Sequence, residues 1–141
     1  MDPGTMKAIV ASMLTWLGAH SDYAAGNDAP AVALVPHSFV EDLACGGPCD
    51  VLGVYPDGNM VYIDQALEPE TNICARSVIL HELVHYLQDR DRKYLNLGPL
   101  LRWNVREMEA YGLQRMYLQE NGIKAAFKPK LYLGAVMGPA C

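Results

Sequence analysis

Between positions 78 and 87 the chain reads Val-Ile-Leu-His-Glu-Leu-Val-His-Tyr-Leu, an apolar run whose strongly polar side chains are His81, Glu82 and His85. Leu80, Val84 and Leu87 share one helical stripe and Ile79, Leu83 and Tyr86 share another, so the run predicts a helix buried on most sides. That prediction is restrictive. Two imidazoles and a carboxylate inside a core are costly unless they are paired or hold a metal. His81 and His85 stand at i and i+4, on one helix face, where both rings can converge on a single ion. Glu82, next to the first histidine, can reach a water in the ion's open coordination position and act as general base. The competing reading is a core helix whose histidines are satisfied by backbone carbonyls.

A zinc site of this kind needs one more protein ligand and leaves its fourth position for water. One source is a sharp turn three residues after His85, which would bring Asp91 round to the metal. That turn position holds Gln88 rather than Gly, so the helix is expected to run on and carry Asp91 away. The other source is the stretch 101–120, which lacks Pro and meets a helix stop at Asn121-Gly122. It offers Glu107 and Glu109, and the helical wheel separates them. Glu107 falls among Trp103, Ala110, Tyr111, Gln114 and Leu118, a face with no other charge. Glu109 falls near Arg102, Arg106, Leu113 and Glu120, where a solvated ion pair is the ordinary explanation. Glu107 is therefore the candidate third ligand, and small Ala110 beside it would let two helices approach closely.

The segment Glu107-Met108-Glu109-Ala110-Tyr111, taken with His81-Glu82-Leu83-Val84-His85, resembles the gluzincin metallopeptidases. Their pattern is His-Glu-x-x-His on one helix and Glu-x-x-Ala followed by a polar residue on a later one. The resemblance covers residues 74–122, and the chain is similar in scale to the minimal gluzincins. It implies an α+β, zincin-like fold, with a small sheet packed on the motif helix and a second helix carrying the third ligand. It also implies Zn²⁺ held by His81, His85 and Glu107, with Glu82 as general base and a peptide or protein as substrate. Tyr111 stands where many gluzincins carry Asp or Asn, and its hydroxyl can supply a supporting hydrogen bond. An unassigned Tyr or His would stabilise the oxyanion. Zincins bind extended substrate along an edge strand beside the metal, and residues 59–64 are the candidate for that strand.

A length of 141 residues is that of one domain, 1–141, with a single core, and 51% hydrophobic with 19% charged residues is a globular composition. A net charge of −5 without a basic run argues against nucleic acid as partner, and no apolar stretch is long enough to span a membrane. Residues 8–19 read as an amphipathic helix ending near Gly18, not as a signal peptide. Residues 1–5, ahead of Met6, are open to reading as a cloning remnant, in which case a natural export signal could have been removed. Cys45, Cys49, Cys74 and Cys141 allow three pairings. Cys45-Gly-Gly-Pro-Cys49 can close on itself and leave Cys74 for Cys141. Two such bridges would suit an extracytoplasmic, periplasmic or secreted setting.

Elsewhere, Ala31–Val35 is a strand candidate ended by Pro36, and residues 51–55 and 59–64 read as a hairpin around Pro56-Asp57-Gly58. Residues 128–141, broken by Pro and Gly, read as irregular or a short strand. His20 and His37 carry no spacing relation to the motif and read as surface or capping residues. A module in which zinc staples two helices without cutting a peptide, or a latent peptidase whose cleft its own terminus fills, fits the same residues. A fourth protein ligand such as Asp91 or a terminal residue would favour those readings.

Overall fold

A computed structural model describes residues 1–124 and contains, in chain order, α1 (Pro3–His20), β1 (Ala31–Val35), α2 (His37–Cys45), β2 (Gly53–Val54), β3 (Met60–Asp64), α3 (Ile73–Arg90) and α4 (Pro99–Glu120). The architecture is α+β. The expectation for residues 128–141 lies outside the described residues, as does the partner proposed for Cys74.

The motif helix α3 starts where Asn72 caps it, its side chain accepting from the backbone of Cys74 and Ala75. From Val78 to Gln88 every residue of α3 is buried, as the double apolar stripe required. A helix buried on all sides needs neighbours on all sides. α1 packs along it through Met6, Ile9, Val10, Met13 and Leu17, while Val61 and Ile63 of the sheet face it from another direction. α4 lies against it antiparallel, since Ser77, His81 and Gln88 meet Gln114, Glu107 and Arg106 in descending order along α4. The turn between the helices holds Arg92 and Tyr94 at φ of 54° and 66°. That left-handed backbone is unfavourable for side chains of this size, and both positions tighten the reversal.

The sheet order is β1-β3-β2, with β1 parallel to β3 and β2 antiparallel to it. The hairpin formed as its turn residues required, with Gly58 at φ 68°. The residues proposed as an edge strand, 59–64, instead form the central strand, because the chain crosses over through α2 and β2 and β3 then pairs with β1 on its other side. β2 is the edge beside the motif helix. Alternation along β3 sends Val61 and Ile63 toward α3, and sends Tyr62 to the opposite face with Val40, Val51 and Val54 under α2.

α2 was not anticipated. Its signal is Phe39, Val40, Leu43 and Ala44 at helical spacing, followed by Gly46 at φ 69° as a left-handed C-cap. The Cys45–Cys49 disulfide closes the loop that follows. His37 does more than cap. Its ring bonds Asp64 at 2.7 Å and the Cys49 carbonyl at 3.0 Å, while Glu41 accepts from the Cys49 amide at 2.9 Å, so α2, the disulfide loop and β3 are tied together. At the N-terminal end of the described chain, Asp2 caps α1 and Pro3 opens it, so residues 3–5 are part of that helix, which runs past Gly18 to His20.

Candidate metal centre

α3 and α4 bring His81, His85 and Glu107 together. One ligand atom from each lies within 4.8 Å of the others, and among the described residues this is the group of His, Cys, Asp and Glu side chains able to hold a metal ion. His81 is fully buried and Glu107 is 8% exposed. The His81 Nε2 to Glu107 Oε2 distance is 3.2 Å and the His85 Nε2 to Glu107 Oε1 distance is 2.8 Å. Those approaches are close but misdirected: His81 Nε2, His85 Nε2 and Glu107 Oε2 have no hydrogen-bond partner of acceptable geometry. Three orphaned polar atoms at one buried point are rare in a folded protein, and a bound metal ion would satisfy all three.

The far side of each ring explains which nitrogen is free to bind an ion. Gln88 donates through Nε2 to the Arg106 carbonyl and to Glu109, both 3.0 Å away and both pure acceptors. Its Oε1 is therefore the atom facing His85 Nδ1 at 2.8 Å, and that nitrogen must carry the proton. The Nε2 lone pair is left for a metal. His81 is fixed the same way by a separate chain. Ser77 Oγ donates to the Cys74 carbonyl at 2.7 Å and accepts from Gln114 Nε2 at 3.1 Å, so Gln114 Oε1 accepts from His81 Nδ1 at 2.9 Å. Two independent relays thus set both imidazoles in the metal-binding tautomer.

The charges of the three side chains also act on one another. Burial pushes the Glu107 carboxyl up, but the two imidazoles outweigh it and draw it down to about 2. For His85 burial acts downward, yet Glu107, Glu82 and Gln88 outweigh it and raise the ring.

Glu82 is buried at the floor of a cleft of about 240 Å³ that it shares with His85 and Glu107. Leu43, Val54 and Tyr55 form one wall of that cleft, and Trp103 and Arg106 form the other. Gly53 lets β2 come this close. A Cβ there would sit 3.3 Å from Glu82 Cγ and 2.9 Å from methyls of both Ile63 and Val78. In the antiparallel ladder Val54 pairs with Tyr62, and the Asp64 amide bonds the Leu52 carbonyl at 2.9 Å. By alternation, the N–H and C=O of Gly53 point away from β3, toward the open edge.

Glu109 is separated from the ligands, as the wheel required, but not into solvent. It accepts from Lys93 at 2.7 Å, Gln88 at 3.0 Å and Tyr94 at 3.1 Å, and also from the Tyr23 hydroxyl. The cation expected from its own helix comes instead from the left-handed turn. Asp91 caps α3 and pairs with Arg90 at 2.7 Å, clear of the metal ligands. Tyr111 lays its ring against that of His81 with centroids 4.4 Å apart, and glutamines, not Tyr111, hold the outward Nδ1 positions. Ser77, Gln88 and Gln114 were not recognised from sequence. Their signal is a polar side chain one turn from a ligand on its own helix for Ser77 and Gln88, and two turns from Glu107 on its face for Gln114.

No curated protein and no solved structure matches the chain. One family does, over residues 2–135, and the chain belongs to it: Domain of unknown function (DUF6647).

Proposed function

We propose that this protein is a zinc-dependent peptidase of the gluzincin type, on a zincin-like fold. The observation that carries the reading is the convergence of two Nε2 lone pairs and a carboxylate at a buried point beside an open cleft. A Nε2, Nε2, carboxylate set suits zinc, which takes three protein ligands in its catalytic sites. When bound, zinc would polarise a scissile carbonyl and lower the pKa of water at the cleft floor. Glu82 is positioned to take that water's proton and return it to the leaving amine. The outer edge of β2 offers Gly53 to an extended peptide, in the strand-addition mode. Arg106 and Tyr55 also line the cleft and are the candidates for stabilising an oxyanion there.

Among the described residues no fourth Asp, Glu, His or Cys joins the ligand group. The Cys45–Cys49 disulfide favours an extracytoplasmic setting. No helix among the described residues is long and apolar enough to cross a membrane.

The test is zinc content and peptide hydrolysis measured on the wild type, Glu82→Gln, Glu107→Ala and Glu109→Ala. One zinc per chain is expected for the wild type, Glu82→Gln and Glu109→Ala, and little for Glu107→Ala; turnover should vanish in Glu82→Gln. A wild-type chain without zinc sinks the whole reading, and hydrolysis surviving Glu82→Gln sinks the mechanism.

A further inference from the structure

The metal cleft does not end at Trp103 and Arg106. Both side chains also line a second depression of about 300 Å³, walled by Leu95, Pro99, Arg102 and Asp89, at the start of α4. The two hollows therefore adjoin across a shared wall.

The chemistry of the second hollow is distinct. Leu95, Pro99 and Trp103 make it apolar on one side, with Leu95 46% exposed and uncovered by any described residue. Arg102 and Arg106 stand at i and i+4, on one face of α4. Arg106 is neutralised, since it pairs with Asp89 at 2.7 Å. Arg102 has no acidic partner among the described residues; its backbone amide bonds Gly98, and its guanidinium makes no ion pair. The α4 N-terminus beside it has no side-chain cap, so the helix dipole adds positive potential at the same spot. In a chain of net charge −5, a guanidinium without an ion pair that lines an apolar hollow next to the metal cleft is a feature with chemical meaning.

We propose that this hollow is a substrate subsite for a carboxylate on an apolar stem, bound by Arg102 and stacked against Trp103. The proposal rests on the reading that the cleft takes a peptide. A carboxylate can come from the C-terminus of that peptide or from an Asp or Glu side chain within it. A planar guanidinium engages either through two parallel hydrogen bonds, which an amide of the same shape cannot accept with charge.

The experiment uses zinc-loaded Glu82→Gln protein, so that peptides bind without being cut, and reads affinity by titration calorimetry. The probes are four acetylated pentapeptides of one apolar sequence, with a free-acid or amide C-terminus crossed with Glu or Gln at an internal position. At least one carboxylate form should bind about tenfold more tightly than the fully neutral peptide, a factor equal to about 1.4 kcal/mol. The form that gains identifies the source of the carboxylate. Adding Arg102→Met should bring acidic and neutral peptides within about twofold of each other, and Arg102→Lys should restore part of the preference. Equal binding of all four peptides, binding of none, or a preference unchanged by Arg102→Met overturns the subsite. Zinc content and wild-type hydrolysis report separately on the peptidase reading. Selective binding without hydrolysis sinks the reaction alone, and hydrolysis without carboxylate preference sinks the subsite alone.

Discussion

Changing Gly53 to alanine inserts one methyl group into the contact between the edge strand and the motif helix. That methyl would lie 2.9 Å from Ile63 Cδ1, 2.9 Å from Val78 Cγ1 and 3.3 Å from Glu82 Cγ. Carbon atoms settle at roughly 3.5–4.0 Å, so the first two contacts require movements of roughly 0.6–1 Å. Ile63 and Val78 are both fully buried, so neither can swing into solvent. Overpacking of this kind costs about 1–3 kcal/mol. The loss of glycine's freedom in the unfolded chain offsets about 0.5 kcal/mol of that. The net is a destabilisation of about 0.5–2.5 kcal/mol, or roughly 2–8 °C in Tm for a domain this size. Gly112→Ala is the control. Nothing lies within 4 Å of a Cβ at Gly112, inside α4, so the same substitution should stabilise by about 0.5–1 kcal/mol. The assay is thermal unfolding of both variants beside the wild type, with zinc content and turnover measured on each. The alanine at position 53 presses on Glu82 but on neither metal-binding nitrogen, so turnover should fall while zinc content holds. A Gly53→Ala protein as stable as the wild type would refute the close-approach argument. Unchanged turnover would refute its link to Glu82.

Three further outcomes are expected. Glu109→Gln leaves Lys93 without its anion in a half-buried network and should cost about 1–3 kcal/mol in denaturant unfolding, with zinc retained; loss of zinc from this variant together with its retention by Glu107→Ala would mean that Glu109, not Glu107, is the ligand. Gln114→Leu removes the acceptor that sets the His81 tautomer, so chelator competition should show zinc affinity lowered by roughly 10–100-fold. The bond to Asp64 raises the pKa of His37, so its contribution to stability is fully present below about pH 6.5 and lost as pH rises through the higher folded value. The Tm gap between wild type and His37→Asn should accordingly be larger at pH 5.5 than at pH 8.5, and a gap independent of pH would show that the charge on His37 plays no part.

The expectations that held are those in which the deciding interactions lie within one turn of chain. Helix period alone places His81 and His85 on one face. It also separates Glu107 from Glu109, because 200° of rotation cannot put both on α3. Pro56-Asp57-Gly58 makes a turn whatever surrounds it, and the hairpin followed. Where a partner had to arrive from elsewhere, the reading of the residues stopped short. Glu109 was assigned to solvent because its own helix supplies only arginines nearby, and the wheel carries no information about Lys93 and Tyr94 in the turn before it.

Residue pattern by itself determined that this chain must bury a His-Glu-x-x-His helix, and that a second helix offers it one carboxylate on an uncharged face. Both follow from side-chain spacing and the cost of burying polar atoms. Tertiary structure alone decided the rest. It put β3 at the centre of the sheet and β2 at the edge, since strand pairing is a contest among segments distant in sequence. It chose glutamines from two different helices to orient the two ligand imidazoles, because a hydrogen bond across 33 residues of chain, as between His81 and Gln114, exists only once the helices have packed.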